Sequence, residues 1–252
     1  MKFSIISSLD YQQGNILLIC SRFANINTDN ASFPPSLVER CFQFASSISD
    51  EGVINALVIV DGVDDGSVGI VDNVDDINVT RGAIEDLSTL EYIQGFDAVL
   101  FFGIDNNLSP LIRANILSFV GGGGGLILSD INLDGEELSL FTGIASVTVT
   151  SPGFYESKGS QVWTEDGVSN FIYSDDVANL HITPLNTISE LNLSSEWSLL
   201  YIHDTEYTLE EESPIDLTID ETINSSSDYD IDGVNFVGYF ATVYENGIVE
   251  VQ

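Results

Sequence analysis

The sequence predicts an α/β fold: a flavodoxin-like, mostly parallel sheet with helices on both faces, followed by a β-rich C-terminal elaboration. Three observations carry this prediction. Continuous apolar runs such as Ile16-Leu17-Leu18-Ile19-Cys20 mark strands buried on both faces. Between such runs, apolar residues recur at helical spacing behind a proline at the first helical position. Strands and helices alternate, which implies crossovers joining parallel strands. At residue 145 the texture changes to short β-rich pieces, so the 252 residues divide into an α/β core, 1–144, and an extension, 145–252. That extension is expected to end in a hairpin completing the same sheet.

Residues 15–21 form the first expected strand. Pro34-Pro35-Ser36 then opens a helix whose inner face carries Leu37, Val38, Cys41, Phe42 and Ala45. Residues 53–60 are the second strand, ended by an acidic loop over 61–76. A short helix follows over 82–94, with Ile84, Leu87 and Tyr92 turned inward, and 97–102 is the third strand. Ser109 caps the next helix and Pro110 starts it. Ile112, Ile116, Phe119 and Val120 line one stripe of that helix. Five glycines, Gly121 to Gly125, stop it, and 126–128 is the fourth strand. A phosphate loop would place its glycines between a strand and the helix after it. Here they follow a helix, so they read as its C-terminal cap, where glycine takes positive φ without strain. Beyond 145, β-rich pieces are expected at 145–150, 161–163, 171–173, 197–202 and 215–219. The close is a hairpin, 236–244 with 248–251, turned at Glu245-Asn246-Gly247.

The stretch GFDAVLFFGIDNNLSPLIRANILSFVGGGGGLILSD, residues 95–130, resembles the core of the class I glutamine amidotransferase-like fold, including its ThuA-like members. There a strand leads to a helix opened near Ser or Thr, then to a glycine-rich link and another strand. Tyr244-Glu245-Asn246-Gly247-Ile248-Val249-Glu250-Val251 is similar to the strand that often closes such domains. The resemblance spans roughly residues 15–130 plus the C-terminal hairpin and implies the scaffold. The family's activity does not carry over, because it needs a cysteine on a strand-to-helix elbow activated by a neighbouring base. In that place the chain has Ser129-Asp130-Ile131-Asn132. Cys20 and Cys41, the only cysteines, lie inside apolar patterns and read as buried free thiols. Ser129, His203 and an aspartate would compose a hydrolytic triad, yet no Gly-x-Ser-x-Gly elbow exposes the serine.

Charge bounds the partners. Forty Asp and Glu against six Lys and Arg give a net charge of −34. Such a surface opposes nucleic acid and anionic membranes. It fits life in high salt, where screening relieves self-repulsion, an acidic surface that serves solubility, or a set of divalent-cation sites. For the last, Asp228-Tyr229-Asp230-Ile231-Asp232-Gly233 and Asp130-Ile131-Asn132-Leu133-Asp134-Gly135 have the alternating-carboxylate spacing of a calcium loop. Asp228, Asp230 and Asp232, and Asp130, Asn132 and Asp134, are thus candidate Ca2+ ligands; Asp61-Gly62-Val63-Asp64-Asp65-Gly66 is a poorer copy. Neither main loop has the bidentate Glu expected at position twelve, and each also reads as an acidic turn ended by glycine. In parallel sheets ligands bind beyond the strand carboxyl ends. That rule points to Arg22, Asp61, Asp105, Ser129 and Asp130, with His203-Asp204 and Glu206 as a weaker metal candidate.

The N-terminus has no apolar stretch long enough for a signal peptide, and no run reaches membrane-spanning length. A cytoplasmic or virion location is expected. The expected function is a non-enzymatic structural or interaction module, bound to protein partners or to itself in a larger assembly such as a virus particle from a saline or marine host. The alternative is a metal-dependent or sugar-binding ThuA-like protein using the acids at the strand carboxyl ends.

Overall fold

A computed structural model of the chain describes residues 2–20, 34–48, 52–59, 71–103, 108–129, 137–150, 160–171, 190–204, 241–243 and 249–251. Two compact units divide it, Met1–Tyr207 and Thr208–Gln252. The first contains β1 (Lys2–Tyr11), β2 (Gly14–Ile19), β3 (Ile54–Ile59), β4 (Ile77–Gly82), β5 (Ala98–Phe102) and β6 (Gly125–Ser129). It continues with β7 (Val147–Thr150), β8 (Ser160–Trp163), β9 (Glu190–Leu193) and β10 (Ser198–Asp204). Eight of these make one sheet in the order β4-β3-β5-β6-β2-β1-β10-β8, and β7 pairs with β9 antiparallel. In the second unit β11 (Ala241–Val243) and β12 (Val249–Val251) pair antiparallel with each other, Val243 opposite Val249.

The fold is α/β. From β4 to β2 every pairing is parallel, and β1, β10 and β8 continue the sheet antiparallel. The parallel order is that of a flavodoxin-like sheet started at β3, with the fifth position filled by β2, which precedes the others in the chain. Strand burial explains the apolar runs. Ile16, Leu17, Leu18 and Ile19 are all fully buried, as are Leu126, Ile127 and Leu128.

The helices follow their local signals. Helix α1 (Pro35–Ser46) begins with proline at its first position and buries Leu37, Val38, Cys41, Phe42 and Ala45 completely. Helix α2 (Leu90–Ile93) is a single turn, and α3 (Pro110–Gly121) is capped by the Ser109 hydroxyl, which accepts from the Ile112 N–H at 3.3 Å. Helix α4 (Glu165–Phe171) packs beside α1 and β10. Helix α3 ends in a Schellman motif. The Gly124 N–H donates to the Phe119 carbonyl at 3.1 Å and the Gly123 N–H to that of Val120 at 2.9 Å, with Gly123 at φ +105°. A methyl at Gly125 would lie 2.5 Å from the Ala45 backbone of α1, and one at Gly124 would meet the Phe119 ring of α3. Successive residues of an extended chain point to opposite faces. Helices α1 and α3 therefore cover opposite faces of the sheet, and both need glycine at its amino end.

Four elements differ from the sequence reading. Strand β1 carries Ser4, Ser7 and Ser8, which broke its apolar pattern, yet all three are buried because β1 sits inside the sheet between β2 and β10. A bulge at Ile5 brings Ser4 and Ser7 within hydrogen-bonding reach. Strand β4 escaped notice because it is an edge, with Asn78, Thr80 and Arg81 exposed. The helix expected over 82–94 is a 3-10 turn, Ile84–Ser88, then α2, with an extended Thr89 between them. That break resets the helical phase, so Ile93 is buried and Tyr92 is exposed instead of turned inward. Phe171 ends α4 and does not begin a strand.

Candidate functional site

Strand direction brings Ser129 and the His203-Asp204 pair to one rim of the sheet. Strands β3, β5, β6 and β2 run parallel, and β10, two antiparallel steps from β2, points the same way. Their carboxyl ends, Ile59, Phe102-Gly103, Ser129, Cys20 and His203-Asp204, share that rim. Gly103 sits there at φ +71° and donates its N–H to the Ser129 carbonyl at 2.8 Å. A flavodoxin-like sheet reverses its winding between β3 and β5, so this rim includes its switch point. The stretches 21–33, 60–70, 104–107, 130–136 and 205–240 that follow these ends lie outside the described residues. They contain Arg22, Asp61, Asp105, Asp130 and Glu206. They also contain both calcium-loop candidates, Asp130/Asn132/Asp134 and Asp228/Asp230/Asp232. Among the described residues no group of three His, Cys, Asp or Glu forms a metal-binding cluster.

At this rim Gly103 is exposed, whereas Ile59, Phe102, Cys20, Ser129 and His203 are buried. Ser129 is fully buried, and His203 is buried in β10 opposite Phe3 and Gln161. Two strands, β2 and β1, stand between Ser129 and His203. Three inter-strand steps separate the pair by about 14 Å, too far for a serine and its base.

Both cysteines are free and buried. The Cys20 thiol donates to the Ser4 carbonyl at 3.0 Å, and Cys41 is held in the inner face of α1. Burial pushes both thiols far above their ordinary range; at Cys41 the Arg40 charge offsets a little of that rise. A buried, protonated thiol is no nucleophile. Tyr201, also in the core, is pushed up by the same desolvation.

Among the described residues, three arginines tie elements of the fold together. Arg40 donates to the Asn170 carbonyl at 2.7 Å and to the Gln43 side chain, joining α1 to α4. Arg113 donates to the Leu140 and Thr142 carbonyls at 3.1 and 2.5 Å, tying α3 to the turn Ser139–Phe141. Arg81 pairs with Asp72. With six positive residues against forty acidic ones, most of the acidic charge has no cation to pair with.

The carboxyl-end rule does not reach the other rim of the sheet. The opposite, amino rim holds a cavity lined by Ser46, Gln94, Phe96, Asp97, Phe119 and the glycines 122–124. No local pattern announces it, because it forms where three helix ends meet. No helix among the described residues is long and apolar enough to cross a membrane.

No family model matches the chain, and no curated protein matches it. Solved structures give loose likenesses. One is the structure of IMPa from Pseudomonas aeruginosa in complex with an O-glycopeptide, at 9% identity and TM-score 0.34, covering 53% of this chain and 17% of that one. Another is the IMPa metallopeptidase in complex with T-antigen, at 11% identity and TM-score 0.35, covering 52% and 17%. Scores this low assign neither a fold nor a function.

Proposed function

We propose that the chain is a non-enzymatic structural or interaction module on an amidotransferase-like scaffold, one component of a larger assembly such as a virus particle from a saline host. The observation that carries this reading is the fate of the two thiols. The scaffold it resembles works through an exposed, activated cysteine, whereas Cys20 and Cys41 are sealed in the core and held protonated. The charge of −34 supports the same reading, since it selects cationic protein surfaces or neighbours bridged by Ca2+. Sedimentation velocity of the full chain in low salt, in molar KCl and in millimolar CaCl2 tests it. Concentration-dependent oligomers in one of these media are expected. A monomer throughout, at every loading, overturns the assembly role.

The shared carboxyl rim favours a second reading, a metal-dependent or sugar-binding ThuA-like protein that uses Asp105 and Asp130. Asp105→Ala and Asp130→Ala should then remove metal or sugar binding measured by calorimetry while leaving the unfolding midpoint in place. Unchanged binding in both variants rejects it.

A further inference from the structure

We propose that the outer edge of β4 takes up an extended segment of another protein, with Lys or Arg at both ends, as a ninth strand of the eight-stranded sheet. This rests on the interaction-module reading and names its surface and its partner.

Strand β4 closes one end of the sheet, with β3 on its inner side and no further strand among the described residues on its outer side. It pairs with β3 without a register shift, from Ile54 opposite Ile77 to Ile59 opposite Gly82. Alternate residues of a strand turn their backbone groups to the same neighbour. The Ile54 N–H donates to the Asp76 carbonyl at 2.9 Å, so Asp76, Asn78 and Thr80 face β3. The N–H and C=O of Val79 therefore face outward. Natural edges are commonly shortened, bulged or broken by proline. Strand β4 has no bulge and no proline, whereas the other edge, β8, is four residues long and ends just before α4.

Charge decides between partners. Strand β4 has no acid, and its only charge, Arg81, is paired with Asp72. Exposed acids stand at both of its ends, Asp75 and Asp76 before it and Glu85 and Asp86 after it. A second copy of this chain fits poorly. In an antiparallel pair outward groups meet outward groups, so Val79 would oppose Val79 or Arg81 of the other copy. Either register lays the Asp75-Asp76 end of one copy against the Glu85-Asp86 end of the other, and like charges across strands destabilise the pair. A segment with cations at each end meets acids whichever way it runs. The six residues of β4 span about 20 Å, which sets the spacing of those cations. Between the acids the edge presents half-buried Val79 flanked by exposed Asn78 and Thr80, so alternating valine and threonine match it.

The probe is the peptide acetyl-Lys-Lys-Thr-Val-Thr-Val-Thr-Lys-Lys-amide, titrated into the full, isotope-labelled chain at fixed ionic strength. The control peptide has proline in place of both valines, which keeps the charge and prevents strand pairing. Saturable binding of the first peptide is expected, with exchange of the Val79 amide slowed about tenfold at ten times the midpoint concentration. The control should leave that amide unchanged. Val79→Pro removes the outward N–H at an edge position where proline is tolerated, and should abolish the binding. The triple variant Asp75→Asn/Asp76→Asn/Glu85→Gln leaves β4 itself intact and serves where Val79→Pro does not fold; it should weaken binding about tenfold. Equal binding of both peptides, an unchanged Val79 amide, or full affinity in either folded variant overturns the proposal. So does slowed exchange at Val79 on raising the protein concentration alone, which assigns the edge to a second copy. A chain that stays monomeric in sedimentation yet takes the peptide at Val79 loses the assembly role and keeps this site. A chain that forms oligomers while Val79 ignores the peptide keeps the role and loses the site.

Discussion

Raising the pH should unfold this protein through its two thiols. In the unfolded chain Cys20 and Cys41 ionise in the ordinary thiol range, near pH 8.5. In the folded chain both stay protonated well beyond it, because each is sealed in the core. A folded-state pKa above the unfolded one contributes stability in full below the unfolded value and loses it as pH rises. Each such group lowers stability by about 1.4 kcal/mol per pH unit in that window. Two thiols together give about 2.7 kcal/mol per unit, against a total of about 5–15 kcal/mol for a typical domain. The background is quiet, since the only lysines are Lys2 and Lys158. Tyr201, raised by burial, adds a loss of the same sign above the ordinary tyrosine range. Urea unfolding midpoints at about pH 8, 9 and 10 under reducing conditions measure the slope. The double variant Cys20→Ala/Cys41→Ala should start lower, because two core side chains have shrunk, and then fall less steeply with pH. Equal slopes in the two proteins would refute the reasoning, as would rapid labelling of the native thiols by a disulfide reagent near pH 8.

Gly14→Ala should lower the urea midpoint by an amount equivalent to about 1–3 kcal/mol, because its methyl would lie 2.3 Å from the carbonyl oxygens of Val120 and Gly124. Gly122→Ala, at φ −85° and with its nearest neighbour at 3.3 Å, should cost under about 1 kcal/mol in the same assay. Arg113→Met keeps the stem but leaves the Leu140 and Thr142 carbonyls without that donor, a loss of about 1–3 kcal/mol read by thermal unfolding. The melting temperature should rise between low salt and about 2 M KCl as the −34 charge is screened. About 5 mM CaCl2 at matched ionic strength should raise it further in wild type, and the Asp230→Ala and Asp134→Ala variants should lose that increment.

What the sequence disclosed was local. Proline at the first position and apolar spacing located α1 and α3, and the uniform apolar runs located β2, β3, β5 and β6, since strands buried on both faces need no polar alternation. Strand β1 is buried just as deeply, but Ser4, Ser7 and Ser8 interrupt its apolar run, the first two bonded to each other, and so disguise it. Strand β4 is an edge with Asn78, Thr80 and Arg81 exposed, so it shows no apolar run. The site was legible only as a rule, that ligands gather at carboxyl ends. Which ends share a rim follows from strand order, a property of pairings between distant residues. Ser129 and His203 can be named together from the sequence, and only the two intervening strands reveal that they never meet. The amino-rim cavity draws on Ser46, Asp97 and Gly122, residues about 25 to 75 positions apart, so no window of sequence contains it.

The position of β1 in the sheet also dictates when the molecule can be finished. Its partner on one side, β2, follows within a few residues, whereas its partner on the other side, β10, ends at Asp204. A nascent chain emerging from the ribosome therefore makes the β1–β2 hairpin first and carries it with two open edges. The edge of β2 waits for β6, and that of β1 waits until β10 has emerged. Open edges invite pairing with other chains, and distant pairings close slowly. Like charge on every copy opposes such contacts between neighbouring chains while the first strand waits for its last partner.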